Sequence, residues 1–153
     1  MQSRFSDELS LKEARKNWLQ TLVRVPATEL IKASDMFSFE VSTLKAPEVG
    51  LMMTNGRIHS TGQPFHLGEV SLTRCVLKDE LGHLGYGHIL GRNKAQSRAI
   101  ALFDLALQRT DYADQANQML DVWCAEIEEI HAAESERIEQ TRVDFFTMVR
   151  GEA

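Results

Sequence analysis

Cysteine is scarce in this sequence. Cys75 and Cys124 are the only two, they stand far apart, and they form no CxxC pair. A disulfide framework is therefore not expected, and a reducing compartment fits. No apolar run approaches the roughly 18 residues needed to span a bilayer. The opening Met1-Gln2-Ser3-Arg4-Phe5-Ser6-Asp7-Glu8 has no stretch of signal-peptide type. A cytoplasmic protein with no membrane partner is the expectation. Basic residues are also outnumbered, 17 Lys and Arg against 22 Asp and Glu, for a formal net charge of −5. Non-specific nucleic-acid binding needs the opposite balance, so no nucleic-acid partner is expected. There is no internal repeat, no low-complexity linker, no nucleophile elbow, no zinc-protease motif and no glycosidase-type carboxylate pair.

What is present suits one globular domain over residues 1–153, with 43% apolar and 25% charged residues. Three zones and a tail follow one another. Residues 1–37 read as helical. Ser10-Leu11-Lys12-Glu13 resembles a capping box, Leu11, Ala14, Trp18, Leu22 and Val23 recur at helical spacing, and Pro26 ends the run. A short helix over Thr28–Met36 follows, with Leu30 and Ile31 inward. Residues 38–91 read as β-rich. An edge strand at Phe39–Leu44 is broken by Pro47, and a second strand runs over Val49–Thr54. Asn55-Gly56 signals a tight hairpin turn, with Arg57-Ile58-His59 starting the return. Gly68–Lys78 alternates most clearly, Val70, Leu72, Arg74 and Val76 on one face, and Leu84–Leu90 is its partner. Residues 92–142 read as helical again. Asn93 caps a helix over Lys94–Gln108 with Ala95, Ala99, Leu102, Phe103 and Ala106 buried. A longer helix over Ala113–Arg142 turns Ala116, Met119, Leu120, Trp123, Ile127 and Ile130 inward. The tail, residues 143–153, is apolar for a chain end. The expected fold is α+β: an antiparallel meander of about four strands flanked by N-terminal and C-terminal helices.

Several residue sets suggest chemistry, each beside a plainer reading. Gly91, Arg92, Asn93 and Lys94 join a strand to a helix start, where free amides and two cations suit a phosphate, a nucleotide or a partner. The spacing is neither a Walker loop nor a dinucleotide fingerprint, and a capped helix start explains it as well. Glu128-x-x-His131 is half of a di-iron motif without its other half, so a solvated acidic face is the better reading. His59, His66, His83 and His88 lack the short spacing of metal ligands, so no metal site is assigned. Cys75 and Cys124 read as small buried apolar residues. Arg74 interrupts an apolar strand face. It pairs either with a carboxylate inside the domain or with a partner subunit. Phe145, Phe146 and Met148 either fold back or are covered by another protein, the latter favoured.

In several stretches the sequence resembles PhnG, a core-subunit family of the bacterial carbon–phosphorus lyase system. They are Thr61-Gly62-x-Pro64-Phe65-x-Leu67-Gly68-Glu69 running on to Thr73-Arg74-Cys75, the Gly50-Leu51 strand with Arg57, and Leu90-Gly91-Arg92-Asn93-Lys94. The end from Arg142 to Gly151 and the opening Trp18-Leu19 helix fit as well. Two departures stand out: His59-Ser60 where relatives carry glycines, and Asn93 where aspartate is common. The resemblance implies assembly with PhnI, PhnH, PhnJ and PhnL, with two copies of this chain in the complex. It implies support for a reaction in which an alkylphosphonate displaces the base of ATP or GTP at ribose C1, giving α-D-ribose 1-methylphosphonate 5-triphosphate. It places the iron–sulfur cluster and S-adenosylmethionine of the later cleavage on another subunit, so no cofactor is expected here. It carries over no catalytic residue. Both lines of reading point to a subunit without its own active site, with Arg57, Phe65, Arg74, Phe145, Phe146, Met148 and Arg150 as candidate interface residues. The alternative is an independent small nucleotide- or phosphate-binding protein.

Overall fold

The structure is a computed structural model that describes residues 2–58 and 62–142, residues 2–10 by their backbone alone. Its elements, in order, are α1 (Gln2–Leu22), α2 (Ala27–Ser34), β1 (Val41–Arg57), β2 (Pro64–Asp79), β3 (Leu84–Leu90), α3 (Lys94–Ala106) and α4 (Ala113–Glu139). The class is α+β. The described sheet has three antiparallel strands in the order β1-β2-β3, where the sequence suggested about four.

The difference lies in β1. Pro47 does not break the strand. β1 is an edge strand, so a residue without an N–H is tolerated there, and a register shift between Lys45 and Glu48 absorbs the irregularity. Asn55-Gly56 is not the hairpin turn either. Asn55 pairs with His66, Gly56 with Phe65 and Arg57 with Pro64, so the chain reverses beyond Arg57. Gly56 has no positive φ. A Cβ there would instead run into the Leu67 side chain, so the glycine makes room for a neighbour. The expected return strand from Arg57 is therefore the end of β1. The expected cap at Ser10 also fails, because α1 runs through it from Gln2.

Helix α3 is the centre of the domain. One side packs on β2 and β3, the other on α1, α2 and α4. A helix enclosed on both sides must be apolar nearly all round. Ala99, Ile100, Ala101, Phe103, Leu105 and Ala106 are all buried, whereas Ala95, expected inside, is exposed. On the helical side Phe103 meets Trp18, Leu22, Leu30, Ala116 and Trp123 in one cluster, and its ring packs edge-on against Phe37 at 4.8 Å and Trp123 at 5.2 Å. Burying a side chain of this size contributes ~1.5–3 kcal/mol. On the sheet side Ala101 and Leu105 meet Cys75 and Leu77. The close approach there is set by Gly87, where a Cβ would overlap the Ser97 carbonyl. The Ser97 hydroxyl donates to the Gly87 carbonyl at 3.0 Å.

One buried carboxylate ties these layers together. Asp104 on α3 is fully buried. It accepts two bonds from the Arg15 guanidinium (3.0 and 2.5 Å), one from Trp18 Nε1 (2.9 Å) and one from the Tyr86 amide (2.8 Å). Arg15 also donates to the Leu84 carbonyl at 2.5 Å and stacks over Tyr86, so α1 covers the free edge of β3. A buried charge is tolerable only when satisfied this fully. No buried side-chain nitrogen or oxygen among the described residues lacks a partner.

Removing one partner of such a pair leaves the other without its counter-charge. Asp104→Ala should therefore cost about 3 kcal/mol, read as a lowered denaturation midpoint in urea. Arg15→Lys, which keeps charge but loses the fork, should cost less. An unchanged midpoint for Asp104→Ala would contradict the role given to this carboxylate.

Candidate functional site

The strands differ in length, and this creates the most unusual surface of the molecule. β3 pairs only with Leu72–Lys78 of β2, whereas β1 continues beside β2 out to Arg57 and Pro64. The outer part, from about Glu48 to Arg57 and from Pro64 to Leu72, is a two-stranded ribbon. On the face that α3 covers further in, Val49, Leu51 and Met53 are exposed, and Leu51 keeps 66% of its surface in water. Met52 lies on the opposite face, Phe65 and Leu67 on the other strand; Leu67 keeps 64% and Ile58 extends the patch past the end of β1. An isolated two-stranded ribbon is marginal in water. One that exposes large apolar side chains on both faces has the character of an interaction surface.

The structure brings three of the sequence candidates onto this body. Phe65 is exposed on the ribbon, Arg57 is exposed at its far end, and Arg74 lies where the ribbon joins the sheet. Arg74 sits on the open face of the sheet, away from α3, because the buried face is Thr73, Cys75, Leu77 and Asp79. Its partner is internal: Nη2 lies 3.1 Å from Glu48 Oε1, which Lys45 also approaches at 2.6 Å. The Lys45 hydrogen bond, with Arg74 helping, holds the Glu48 carboxyl below the usual range. Across the sheet His88 faces Arg74 in register, and burial together with that cation pushes its imidazole down. Phe145, Phe146, Met148 and Arg150 lie outside the described residues.

Gly91, Arg92, Asn93 and Lys94 form the β3–α3 turn. Gly91 takes φ +96°, a region costly for other residues. Its amide donates to Ser71 O at 2.7 Å, and its carbonyl accepts from the Thr73 hydroxyl at 2.8 Å. Asn93 caps α3 by accepting from the Gln96 amide at 3.0 Å. Arg92 and Lys94 are exposed beside it. The Gly91 amide of the turn and the Gln96 amide in the first turn of α3 are thus already engaged, which limits what an anion would find there.

Titratable groups crowd most closely at the other end of the sheet. Arg109, almost buried, contacts Asp79 (3.4 Å), Glu80 (2.7 Å) and Asp111 (2.8 Å) and stacks on Phe39. Asp79 also accepts from the His83 amide at 2.7 Å and ring at 2.8 Å. Burial pushes the Asp79 carboxyl up, but the two His83 bonds and Arg109 outweigh it and hold the group below its ordinary value. With three carboxylates around one guanidinium, the cluster reads as a structural clasp joining β2 to the end of α3. Elsewhere Cys75 is fully buried and its thiol is pushed up by that burial, the wrong direction for a nucleophile. Cys124, half-buried, contacts the Thr21 hydroxyl at 3.3 Å and so links α4 to α1. Among the described residues no group of three or more His, Cys, Asp or Glu is placed to hold a metal ion, and no helix is long and apolar enough to cross a membrane. Glu128 and His131 lie on a fully exposed stretch of α4.

The signal for the ribbon was present in the sequence as Leu51-Met52-Met53. Consecutive apolar residues imply burial on both faces of a strand, but not by which molecule.

The model of the family described as phosphonate metabolism protein PhnG matches residues 13–151. Over 149 residues, 96% of this chain and 95% of the relative, the sequence is 34% identical to the alpha-D-ribose 1-methylphosphonate 5-triphosphate synthase subunit PhnG of Rhizobium meliloti (strain 1021).

Two outcomes follow from this geometry. Leu51→Thr and Leu67→Thr should each leave the unfolding free energy of the isolated chain within ~0.5 kcal/mol while reducing its concentration-dependent light scattering. A loss of about 2 kcal/mol would mean that the ribbon is packed within the chain. The Asp79 contribution to stability is fully present above the unfolded carboxyl value of about 3.9 and is lost as pH falls through the lower folded value. Asp79→Asn should therefore flatten the fall in stability below about pH 4; an unaltered acid limb would remove the clasp.

Proposed function

The chain belongs to the PhnG family, and on that premise we propose that it is a subunit of an alpha-D-ribose 1-methylphosphonate 5-triphosphate synthase, supplying binding surface while other subunits supply the reacting groups. In the assembled enzyme an alkylphosphonate such as methylphosphonate attacks ribose C1 of ATP or GTP. The base leaves, and the product is α-D-ribose 1-methylphosphonate 5-triphosphate. The partners are PhnI, PhnH and PhnL in this step, with PhnJ, its iron–sulfur cluster and S-adenosylmethionine acting later. The complex is cytoplasmic and holds two copies of this chain. ATP or GTP enters as substrate of the complex, and this chain holds no cofactor of its own.

The observation that supports this reading best is the ribbon. A chain that worked alone would gain nothing from holding Leu51, Met53 and Leu67 in water. A permanent assembly covers such side chains, and obligate interfaces are correspondingly large and apolar. Arg57 and Phe65 on the same ribbon, and Arg74 at its base, supply the polar and aromatic contacts that fix orientation. The second reading, an independent phosphate- or nucleotide-binding protein, rests on exposed Arg92 and Lys94 at the start of α3. It is the weaker one, because Asn93 already occupies the Gln96 amide.

Co-expression with a PhnI-type partner tests the proposal. The wild-type chain should co-purify as a stable complex, and Leu51→Asp combined with Leu67→Asp should release it. Cells lacking the gene should fail to grow on methylphosphonate as sole phosphorus source, and the ribbon variant should not restore growth. Full co-purification and growth with that variant would remove the ribbon from the interface. Growth of the deletion strain would remove the chain from the pathway.

A further inference from the structure

A second uncovered surface, distinct from the ribbon, lies on α4. Its seam packs inward at Ala116, Trp123 and Ile127, and then the helix leaves the body. From Glu128 to Glu139 every residue is exposed, including Ile130, expected inside, at 66% and Ile138 at 60%. Six glutamates stand between Glu126 and Glu139 against one arginine, Arg137. Glu126 and Glu129 repel one another one turn apart, whereas Glu139 is paired with Arg142 at 2.9 Å. Twelve exposed residues of net-acidic helix with two isoleucines in water hold together better against a surface that is cationic and apolar at once.

The chain itself carries such a surface. A shallow, open groove along one face of α1 is lined by Lys12, Arg15, Lys16, Leu19, Gln20 and Val23. Lys12, Lys16, Leu19 and Val23 fall at helical spacing, two cations and then two apolar side chains. Lys12, Lys16 and Val23 are exposed, and Arg15 is anchored beside them by Asp104. The α1 face is the charge complement of the α4 arm, with apolar residues on each to meet the other. Among the described residues nothing covers the arm. We propose that the free half of α4 docks on the α1 groove of a second copy of this chain, Ile130 and Ile138 against Leu19 and Val23, glutamates against Lys12 and Lys16. Two-fold symmetry makes the contact twice, which a helix-on-helix contact of this size needs in order to persist. The ribbon takes no part, so this pairing stands or falls separately from the PhnI-type interface.

Charge exchange tests it, because the four residues exchanged, Lys12, Lys16, Glu128 and Glu134, are all exposed and the fold should tolerate the changes. The full chain would be studied by sedimentation velocity over a dilution series at low salt, where exposed charge pairs are least screened. Wild type and the ribbon variant Leu51→Thr/Leu67→Thr would be run in parallel. Both should dimerise. Lys12→Glu/Lys16→Glu and Glu128→Lys/Glu134→Lys should each weaken the dimer at least tenfold. Mixing these two variants should restore it, as should combining all four changes in one chain, because opposite charges then face each other at both contacts. A wild-type monomer at all concentrations, a dimer lost in the ribbon variant, a dimer indifferent to both reversals, or no recovery on mixing would overturn the proposal.

Discussion

Helix α3, with thirteen residues, is about 20 Å long. Strand β1, with seventeen, runs to roughly 55 Å. One layer cannot cover the other, and the outward character of the molecule follows from that mismatch. Where α3 lies over the sheet, Gly87 lets the helix backbone approach, Cys75 and Leu77 meet Ala101 and Leu105, and the Asp104 carboxylate joins helix, strand edge and α1. Where α3 ends, β1 and β2 continue as a ribbon with apolar side chains on both faces. The same chain therefore contains a finished core and an unfinished one, and the unfinished part is the one from which assembly can be argued.

Local chemistry made much of this legible in the residues. Asn93 before an apolar helix pattern marks an N-cap, and its side chain holds the Gln96 amide. The strict alternation of β2 is visible in its residues, and so is the helical stripe through Trp123 and Ile127. The errors share a cause. Asn55-Gly56 has strong turn propensity, yet the cross-strand register from Val41 to Arg57 overrides it, and Gly56 serves Leu67 instead of a bend. Pro47 signals a break only if its missing donor matters, and on an edge strand it does not. Arg74 shares its strand face with Leu72 and Val76. Which face meets α3 depends on Gly85 and Gly87 across the sheet, which no single-strand pattern reveals. The exposure of Ile130 follows from where the body ends, a property of tertiary packing alone.

The site residues were legible unevenly for the same reason. Arg57 and Arg74 stand out as residues at odds with their local pattern and Phe65 as part of the matched family motif, and all three fall on or at the base of the ribbon. Leu67 does not stand out, and the run through Leu51 and Met53 signals burial without naming what buries it, because apolar residues in a strand look satisfied until the third layer proves to be missing. The clasp brings Arg109 and its neighbour Asp111 to Asp79 and Glu80, 30 and 29 positions before Arg109, and carries no sequence signal at all.

The central claim is that the ribbon's cover comes from another protein. Amide hydrogen exchange measured on the chain alone and in complex with a PhnI-type subunit tests it most directly. Amides of Val49–Met53 and Phe65–Val70 should exchange quickly in the free chain, while those of Thr73–Leu77 beneath α3 stay protected. The complex should slow the first set at least a hundredfold and leave the second unchanged. Equal protection of the ribbon in the free and bound states would contradict the account.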